Sequence, residues 1–290
     1  MSIIHIIKKK VNDYLMIHSK YYARKHLKKL FLLRLGYELN LQNPKTFNEK
    51  LNWIKLYGIT PLMWICADKY RVLEYLEKKG FGKYVVPLYA VADSFDDLDW
   101  EILPKRFVLK TNHDSSGAWI VKNKANADKK ILNEEISACL NRIYGIDTGE
   151  YHYAKIPSKV IAQELLGKPN KLLEDYKFFC FNGKCNEMFI TIKSEPENPE
   201  YYFFDRNWKM LKYIYSNPIE SDLLTLPKPK KLSEMFDLAE QLSQPFAFVR
   251  VDLYYENHNI HFGELTFFPE AGFDQISYKA DKLFGKRLII

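Results

Sequence analysis

Apolar and polar positions follow two rhythms along this chain, and the change from one to the other divides it. Over residues 2–35, Ile6, Tyr14, Leu15, Tyr22, Leu27, Leu30 and Phe31 recur at helical spacing among lysines. That spacing predicts one or two amphipathic helices. In NPKTFNEKLNWIKLY (43–57), Thr46 followed three residues later by Glu49 is a capping box. Leu51, Ile54 and Leu56 continue an apolar stripe, so a helix is predicted to start near 47. CADKYRVLEYLEKK (66–79) is a further helical stretch, ended by Gly80. Beyond it the period shortens towards two. KYVVPLYAVA (83–92), RFVLKTNHDSSGAWIVKN (106–123), KVIAQELL (159–166) and DYKFFCFNGKCNEMFITIKS (175–194) read as short strands. A polar Gly/Ser turn breaks the second, and the turn dipeptide Asn182-Gly183 breaks the last. Helices are predicted over 128–144 and 230–243, a hairpin arm over 201–211, and a Pro- and Ser-rich loop over 214–230. Strand pairs interspersed with helices predict an α+β fold with mainly antiparallel sheets.

The stretch 246–273, FAFVRVDLYYENHNIHFGELTFFPEAGF, has two alternating runs around a polar break, which predicts a hairpin. Arg250 and Asp252 share one face of the first run, and Glu264 and Thr266 share one face of the second. A three-residue loop at 257–259 would pair Glu256 with Ile260, Asp252 with Glu264 and Arg250 with Thr266. Like charges placed opposite each other destabilise a sheet, so two facing carboxylates call for a cation between them. A loop of even length would put the carboxylates on opposite faces and remove the site.

Composition narrows the classes. With 290 residues and 47% hydrophobic content the chain can bury a core, as one large domain or two small ones. Its net charge of +7 is concentrated in residues 1–34, where Lys8, Lys9, Lys10, Lys20, Arg24, Lys25, Lys28, Lys29 and Arg34 face a single acid, Asp13. Such a segment suits an anionic membrane, a nucleic acid or a polyanionic substrate, or it is a solvated helix face. No apolar run approaches the roughly 20 residues that span a bilayer, and the N-terminal stretch lacks the apolar core of a signal peptide. Cys66, Cys139, Cys180 and Cys185 show no CxxC spacing, which fits free thiols in a reducing cytoplasm. No Ser/His/Asp or Cys/His constellation is present, and His113 and His152 are the only candidate bases that stand out.

Four local signals carry chemistry. Lys110 ends a strand and precedes Thr111-Asn112-His113-Asp114-Ser115-Ser116-Gly117, a small polar turn whose backbone N–H groups can cradle an anion. Asp68-Lys69 stands at a helix start, Gln163-Glu164 at the end of an apolar strand, and Asp175-Tyr176-Lys177 at the start of another. Each alone is an ordinary surface feature. Their order, followed by Arg-x-Asp and Glu across a hairpin, resembles the ATP-grasp superfamily. The segments DKY, FVLKTNHDSSG, DYKFFCFNGK, FVRVDLY and FGELTFFPEAGF, together with NPKTFNEKLNWIKLY, resemble its TupA-like family of bacterial surface-polysaccharide gene clusters over roughly 43–290.

The resemblance implies a basic helical segment (1–65) before an ATP-grasp domain (66–290), with an ATP-binding subdomain at about 105–165 and a metal-binding sheet at about 175–275. By position, Lys69 and Lys110 meet the α- and β-phosphates, and His113, Ser115, Ser116 and Gly117 belong to the loop closing over them. Gln163 and Glu164 read adenine, Asp175 binds the ribose hydroxyls, and Lys177 approaches the phosphates. Asp252 and Glu264 hold Mg²⁺, whose preference is for hard carboxylate oxygens. Arg250 steadies the transferred phosphoryl group. Thr266 stands where many ATP-grasp enzymes carry Asn, and Gln163 where an acid is common, which shifts weight to Glu164. The implied reaction uses ATP to activate a carboxylate as an acylphosphate, which an amino acid or small amine then attacks. The acceptor would be an anionic sugar, a uronic acid of a capsular or O-antigen polysaccharide, handled at the cytoplasmic side of the inner membrane with possible peripheral contact. A glycosyltransferase is the alternative, but no Asp-x-Asp pair stands before a metal–sugar-nucleotide site. A nucleic-acid-binding protein leaves the Arg-x-Asp and Glu hairpin without a role, so no nucleic acid is expected as partner.

Overall fold

A computed structural model describes residues 3–115, 117–167, 174–195, 198–212, 214 and 226–290. Ser116 and most of the predicted 214–230 loop lie outside these. The basic N-terminal stretch forms two helices, α1 (Ile3–His18) and α2 (Lys20–Leu35), joined at Ser19, whose backbone is extended. Gly36 ends α2 in the left-handed conformation, at φ 77°. Helix α3 (Phe47–Tyr57) starts where the capping box places it. The Thr46 hydroxyl accepts from the Glu49 amide, and the Glu49 carboxylate accepts from the Thr46 amide at 3.0 Å.

The single helix expected over 66–79 is two, α4 (Pro61–Ala67) and α5 (Arg71–Lys78). Asp68 causes the break. Its buried carboxylate accepts from the amides of Tyr70 and Arg71, at 2.9 and 3.2 Å, and so offers the backbone an alternative to continuing the helix.

Two antiparallel sheets follow, as an α+β fold requires. The smaller joins β1 (Leu88–Ala92), β2 (Phe107–Thr111), β3 (Ala118–Val121) and β4 (Val160–Glu164) in the order β1-β4-β2-β3, with α6 (Lys129–Leu140) against it. The larger joins β5 (Asp175–Phe181), β6 (Lys184–Glu195), β7 (Asn198–Asp205), β8 (Phe248–Glu256) and β9 (Asn259–Thr266) in the order β7-β6-β5-β8-β9. Asn182-Gly183 turns β5 into β6, both residues at positive φ.

Helix α7 (Leu232–Ser243) packs on the larger sheet, with Phe236 edge-on to Phe178 at 4.9 Å. Phe179 and Phe181 alternate to the other face. There they meet Phe47 of α3 and Phe284 of α8 (Tyr278–Arg287), with ring centroids 5.4–6.3 Å apart. Residues further along the same strands on that face are polar: Asp175 and Lys177 on β5, Arg250 and Asp252 on β8. The aromatic helices cover one half of the face and leave the polar half free of them.

The hairpin predicted at the heart of the sequence forms by a different route. Its turn has two residues, Asn257 and His258, at φ 49° and 65°, and Glu256 pairs with Asn259 rather than Ile260. Carried through unchanged, that even turn would leave Asp252 and Glu264 out of step. The register instead shifts between Leu253↔Phe262 and Asp252↔Glu264, leaving Gly263 as an extra residue in β9. Glycine is required there, because a Cβ would stand 2.9 Å from the Asp252 carbonyl oxygen and 3.2 Å from the Tyr254 ring. Asp252 thus faces Glu264, and Arg250 faces Thr266, as expected from the sequence. The one-residue correction sits inside the strand and not in the loop.

Candidate nucleotide and metal site

The polar half of the larger sheet is a charge network centred on Asp252, which is 2% exposed. Arg250 grips it with a two-pronged contact, Nε to Oδ1 and Nη2 to Oδ2, both 2.7 Å. Lys177, directly opposite on β5, donates to Asp252 Oδ2 at 2.8 Å and reaches Asp175 Oδ2 at 2.5 Å. Burial alone would raise the Asp252 pKa, but the adjacent Arg250 and Lys177 outweigh it and hold the carboxyl below its ordinary range. Burial likewise disfavours the Lys177 ammonium, and Asp252 reverses the balance. Arg250 Nη2 also donates to the Thr266 hydroxyl at 3.1 Å and lies 3.8 Å from Glu264 Oε1. Thr266 donates to Glu264 at 3.3 Å.

Whether these residues suit a divalent cation can be tested on their free lone pairs. Asp252 accepts three hydrogen bonds of the roughly four its two oxygens can take. Glu264 keeps 36% of its side chain exposed, and its second oxygen accepts no hydrogen bond among the described residues. The donors are all hard oxygens on neighbouring positions of paired strands, which fits a magnesium ion that retains water and substrate oxygens in its shell. Among the described residues no three His, Cys, Asp or Glu side chains come together as a self-sufficient metal cage, so a cation here depends on oxygens from a ligand. Asp175 Oδ1 is buried with no hydrogen-bond partner among the described residues. Burial raises the Asp175 pKa, against the pull of Lys177. An orphaned acceptor of this kind is suited to a hydroxyl donor from a ligand.

The smaller sheet supplies the lysines. Lys110 and Gln163 project from the same side of paired strands, and Lys110 Nζ donates to Gln163 Oε1 at 3.2 Å. Burial, helped by the nearby Lys69 charge, pushes the Lys110 pKa down to about 8, and Glu264 of the other sheet opposes the shift. Lys110 is thereby placed within electrostatic reach of the carboxylate hairpin. Lys69 donates to the Asp114 carbonyl oxygen, and its own amide donates to the Asn112 carbonyl at 3.0 Å. Glu164 is exposed at the strand end, its amide held by the Pro87 carbonyl at 2.9 Å.

The turn between β2 and β3 owes its shape to residues that the sequence did not single out. Asp114, fully buried, accepts from the Gly117 amide at 2.7 Å and from Arg142 at 3.1 Å. Burial opposes its charge, yet the Gly117 amide and the Lys69 charge help keep its pKa low. Asn112 binds the Asp68 carboxylate at 2.9 Å and exchanges hydrogen bonds with Lys159, tying the turn to the α4–α5 break and to β4. A Cβ at Gly117 would collide with the Thr111 hydroxyl at 2.1 Å. Ser115 is exposed and bonded to the Tyr144 hydroxyl. His113 points inward, with Nε2 at 3.2 Å from the Arg142 carbonyl. The spacing Asp114-x-x-Gly117 was a readable signal for the loop's organiser; nothing in the sequence marked Arg142. The other candidate base, His152, is buried against Tyr153 and Phe268, and burial together with the Lys55 charge drives its pKa down to about 3. It is a neutral packing residue.

After β9 the chain makes a left-handed turn, with Glu270, Ala271 and Gly272 at φ 47°, 50° and 69°. Two of these are not glycine, and such conformations cost about 1–3 kcal/mol each. Helix α3 holds the turn in place. Asn52 Nδ2 donates to the Gly272 carbonyl at 2.7 Å, and the buried Lys55 Nζ donates to the carbonyls of Ala271 and Thr148 at 2.5 and 2.7 Å. Beyond the turn, burial and the Glu270 charge raise the Asp274 pKa to about 7.

Lys110 of the smaller sheet thus feels the charge of Glu264 on the larger sheet, where Asp252 and Arg250 stand beside it. Residues 49–289 match the TupA-like ATP-grasp family, and the chain belongs to it. No curated protein matches the chain. Among solved structures, it is similar to D-alanine–D-alanine ligase from Bacillus anthracis, at 20% identity over 70% of this chain and 57% of that one, with a TM-score of 0.41. It is also similar to a RimK-domain ATP-grasp protein from Sphaerobacter thermophilus, at 11% identity over 76% and 66% of the two chains, with a TM-score of 0.45. A third is N5-carboxyaminoimidazole synthase from Aspergillus clavatus, at 14% identity over 70% and 44%, with a TM-score of 0.42. The chain spans little more than half the length of the first of these, and the family match alone assigns it.

Proposed function

We propose that this protein is an ATP- and magnesium-dependent carboxylate–amine ligase. It would activate the carboxylate of a uronic acid in a capsular or O-antigen polysaccharide, or its precursor, and join it to an amino acid or small amine. The observation that carries the reading is the pairing of Asp252 with Glu264 beside Arg250, within electrostatic reach of Lys110. Lys69 and Lys110 bind the polyphosphate, and the loop ordered by Asp114 closes over it with Ser115, Ser116 and Gly117. Gln163, Glu164 and the backbone after them meet the base, and the unpartnered oxygen of Asp175 receives a ribose hydroxyl.

Asp252, Glu264 and Thr266 would hold magnesium, which screens phosphate charge when bound. Arg250 sits where negative charge accumulates on the transferred phosphoryl group, already fixed by Asp252 and Thr266, so it needs no reorientation. Lys177 balances the buried carboxylates beside it. The carboxylate substrate attacks the γ-phosphorus and ADP leaves; the amine then attacks the acylphosphate carbon, phosphate leaves, and the amine's proton passes to solvent or a nearby base.

ADP and phosphate release with Mg·ATP, screened over uronic acids and amines, tests this. Release that requires both a carboxylate and an amine supports it; UDP release from a UDP-sugar without ATP overturns it. Glu264→Gln should abolish turnover while the thermal unfolding curve stays in place, and an active variant would remove the metal assignment.

A further inference from the structure

The N-terminal helices present a surface with no role in the site. On α1, Ile7, Val11 and Tyr14 recur at i, i+4 and i+7, which puts them on one helix face. They are 55%, 53% and 62% exposed, while Met16 on the far side is buried. The apolar stripe of this helix therefore points outward. Lys8 and Lys10 flank it, both exposed. On α2 the inward face is Ala23, Leu27 and Phe31, all buried, and the outward face carries Tyr21, Tyr22, Leu32 and Leu33 interleaved with Lys25, Lys28 and Lys29. Leu33 is 76% exposed.

We propose that α1 and the outward face of α2 dock this protein on an anionic lipid surface. Charge and side-chain chemistry select that occupant. Nine basic residues and one acid lie in residues 1–34, so a second copy presenting the same face would be repelled. A nucleic acid or an acidic glycan would answer the lysines but offers nothing for Ile7, Val11, Leu32 and Leu33. A bilayer answers both: acyl chains take the aliphatic side chains, the headgroup layer takes the tyrosines, and anionic headgroups take the lysines. Among the described residues no helix is long and apolar enough to cross a membrane, so the helices lie along the surface. The face is joined to the rest of the molecule through Phe31, whose ring packs 6.2 Å from that of Phe273, next to the clamped turn. Docking would hold the site at a set distance from the lipid. The inference stands on this surface and does not depend on the ligase reading.

The full chain is floated with vesicles of phosphatidylcholine alone, or with about 30% phosphatidylglycerol added to supply the surface charge. Binding to the anionic vesicles only, weakened by salt, is expected. Val11→Asp and Leu33→Asp lie on exposed positions and should each weaken it about tenfold or more, because each places a charge among acyl chains. Their ATP binding and unfolding curves should stay at wild-type values. Equal binding to neutral vesicles, no binding to either, or wild-type binding by both variants would overturn the proposal. So would a concentration-dependent dimer that Val11→Asp dissolves, or tighter binding to RNA or an acidic polysaccharide that Leu33→Asp leaves intact.

Discussion

Nucleotide affinity should fall as pH rises from 7 to 9, because Lys110 loses its proton in that range. Burial and the neighbouring Lys69 charge set its pKa at about 8 before any ligand arrives. About nine in ten molecules carry the ammonium at pH 7 and about one in ten at pH 9. A bound polyphosphate favours the charged form, so a protein that binds only through the charged lysine loses about tenfold in affinity over those two units. At pH 8 each binding event should take up about half a proton from solution. Calorimetric titration of ATP without metal, in two buffers of different ionisation heat, measures affinity and proton uptake together. Lys110→Arg should flatten the profile, since guanidinium stays charged throughout. A flat wild-type profile, or an equal slope in Lys110→Arg, would refute the reasoning.

Gly263→Ala should cost about 1–3 kcal/mol in urea unfolding, because the new methyl meets the Asp252 carbonyl at 2.9 Å and the backbone must give way. Lys55→Met should lower stability by about 2–4 kcal/mol, since it leaves buried carbonyls at Ala271 and Thr148 without a donor. Hydrogen exchange should then quicken first at residues 270–273; uniform exchange would mean the clamp is not local. Asp114→Asn weakens the hold on the Gly117 amide and on Arg142. It should raise the KM for ATP more than it lowers kcat; an unchanged KM would show that the loop keeps its shape without the charge.

Much of the candidate site's arrangement was legible because its residues lie at short separations within strands. Arg250, Asp252, Glu264 and Thr266 follow from period-two alternation and one hairpin, and the Asn182-Gly183 turn fixed β5 against β6 in the same way. The antiparallel α+β class followed too. What stayed hidden depends on contacts between distant parts of the chain. Asp68 breaks a helix whose apolar spacing continues through it, and it does so partly for Asn112, 44 residues away. Lys55 sits in a helix where a lysine ordinarily signals a wet face, yet it is buried to hold a turn 216 residues on. Helix α8 carries few apolar residues and is visible only once Phe284 is seen among the rings of Phe47, Phe179 and Phe181. The count through the hairpin reached the right pairing by the wrong path, since alternation reports which residues share a face but not where an odd residue has been absorbed.

That placement separates the hairpin tip from the chemistry. The tip at Asn257-His258 obeys the geometry of a tight two-residue turn, while the phase of the carboxylates is reset five residues further on, at Gly263. The length of the turn and the bulge together set the carboxylate register, while the residue types at the tip do not. Substituting Asn257-His258 with another two-residue turn changes the end of a ribbon and leaves Asp252 opposite Glu264. A fluorophore placed at this tip would report on the segment after Glu164, because the Glu256 carboxylate at the base of the turn accepts from the Gly167 amide at 3.1 Å.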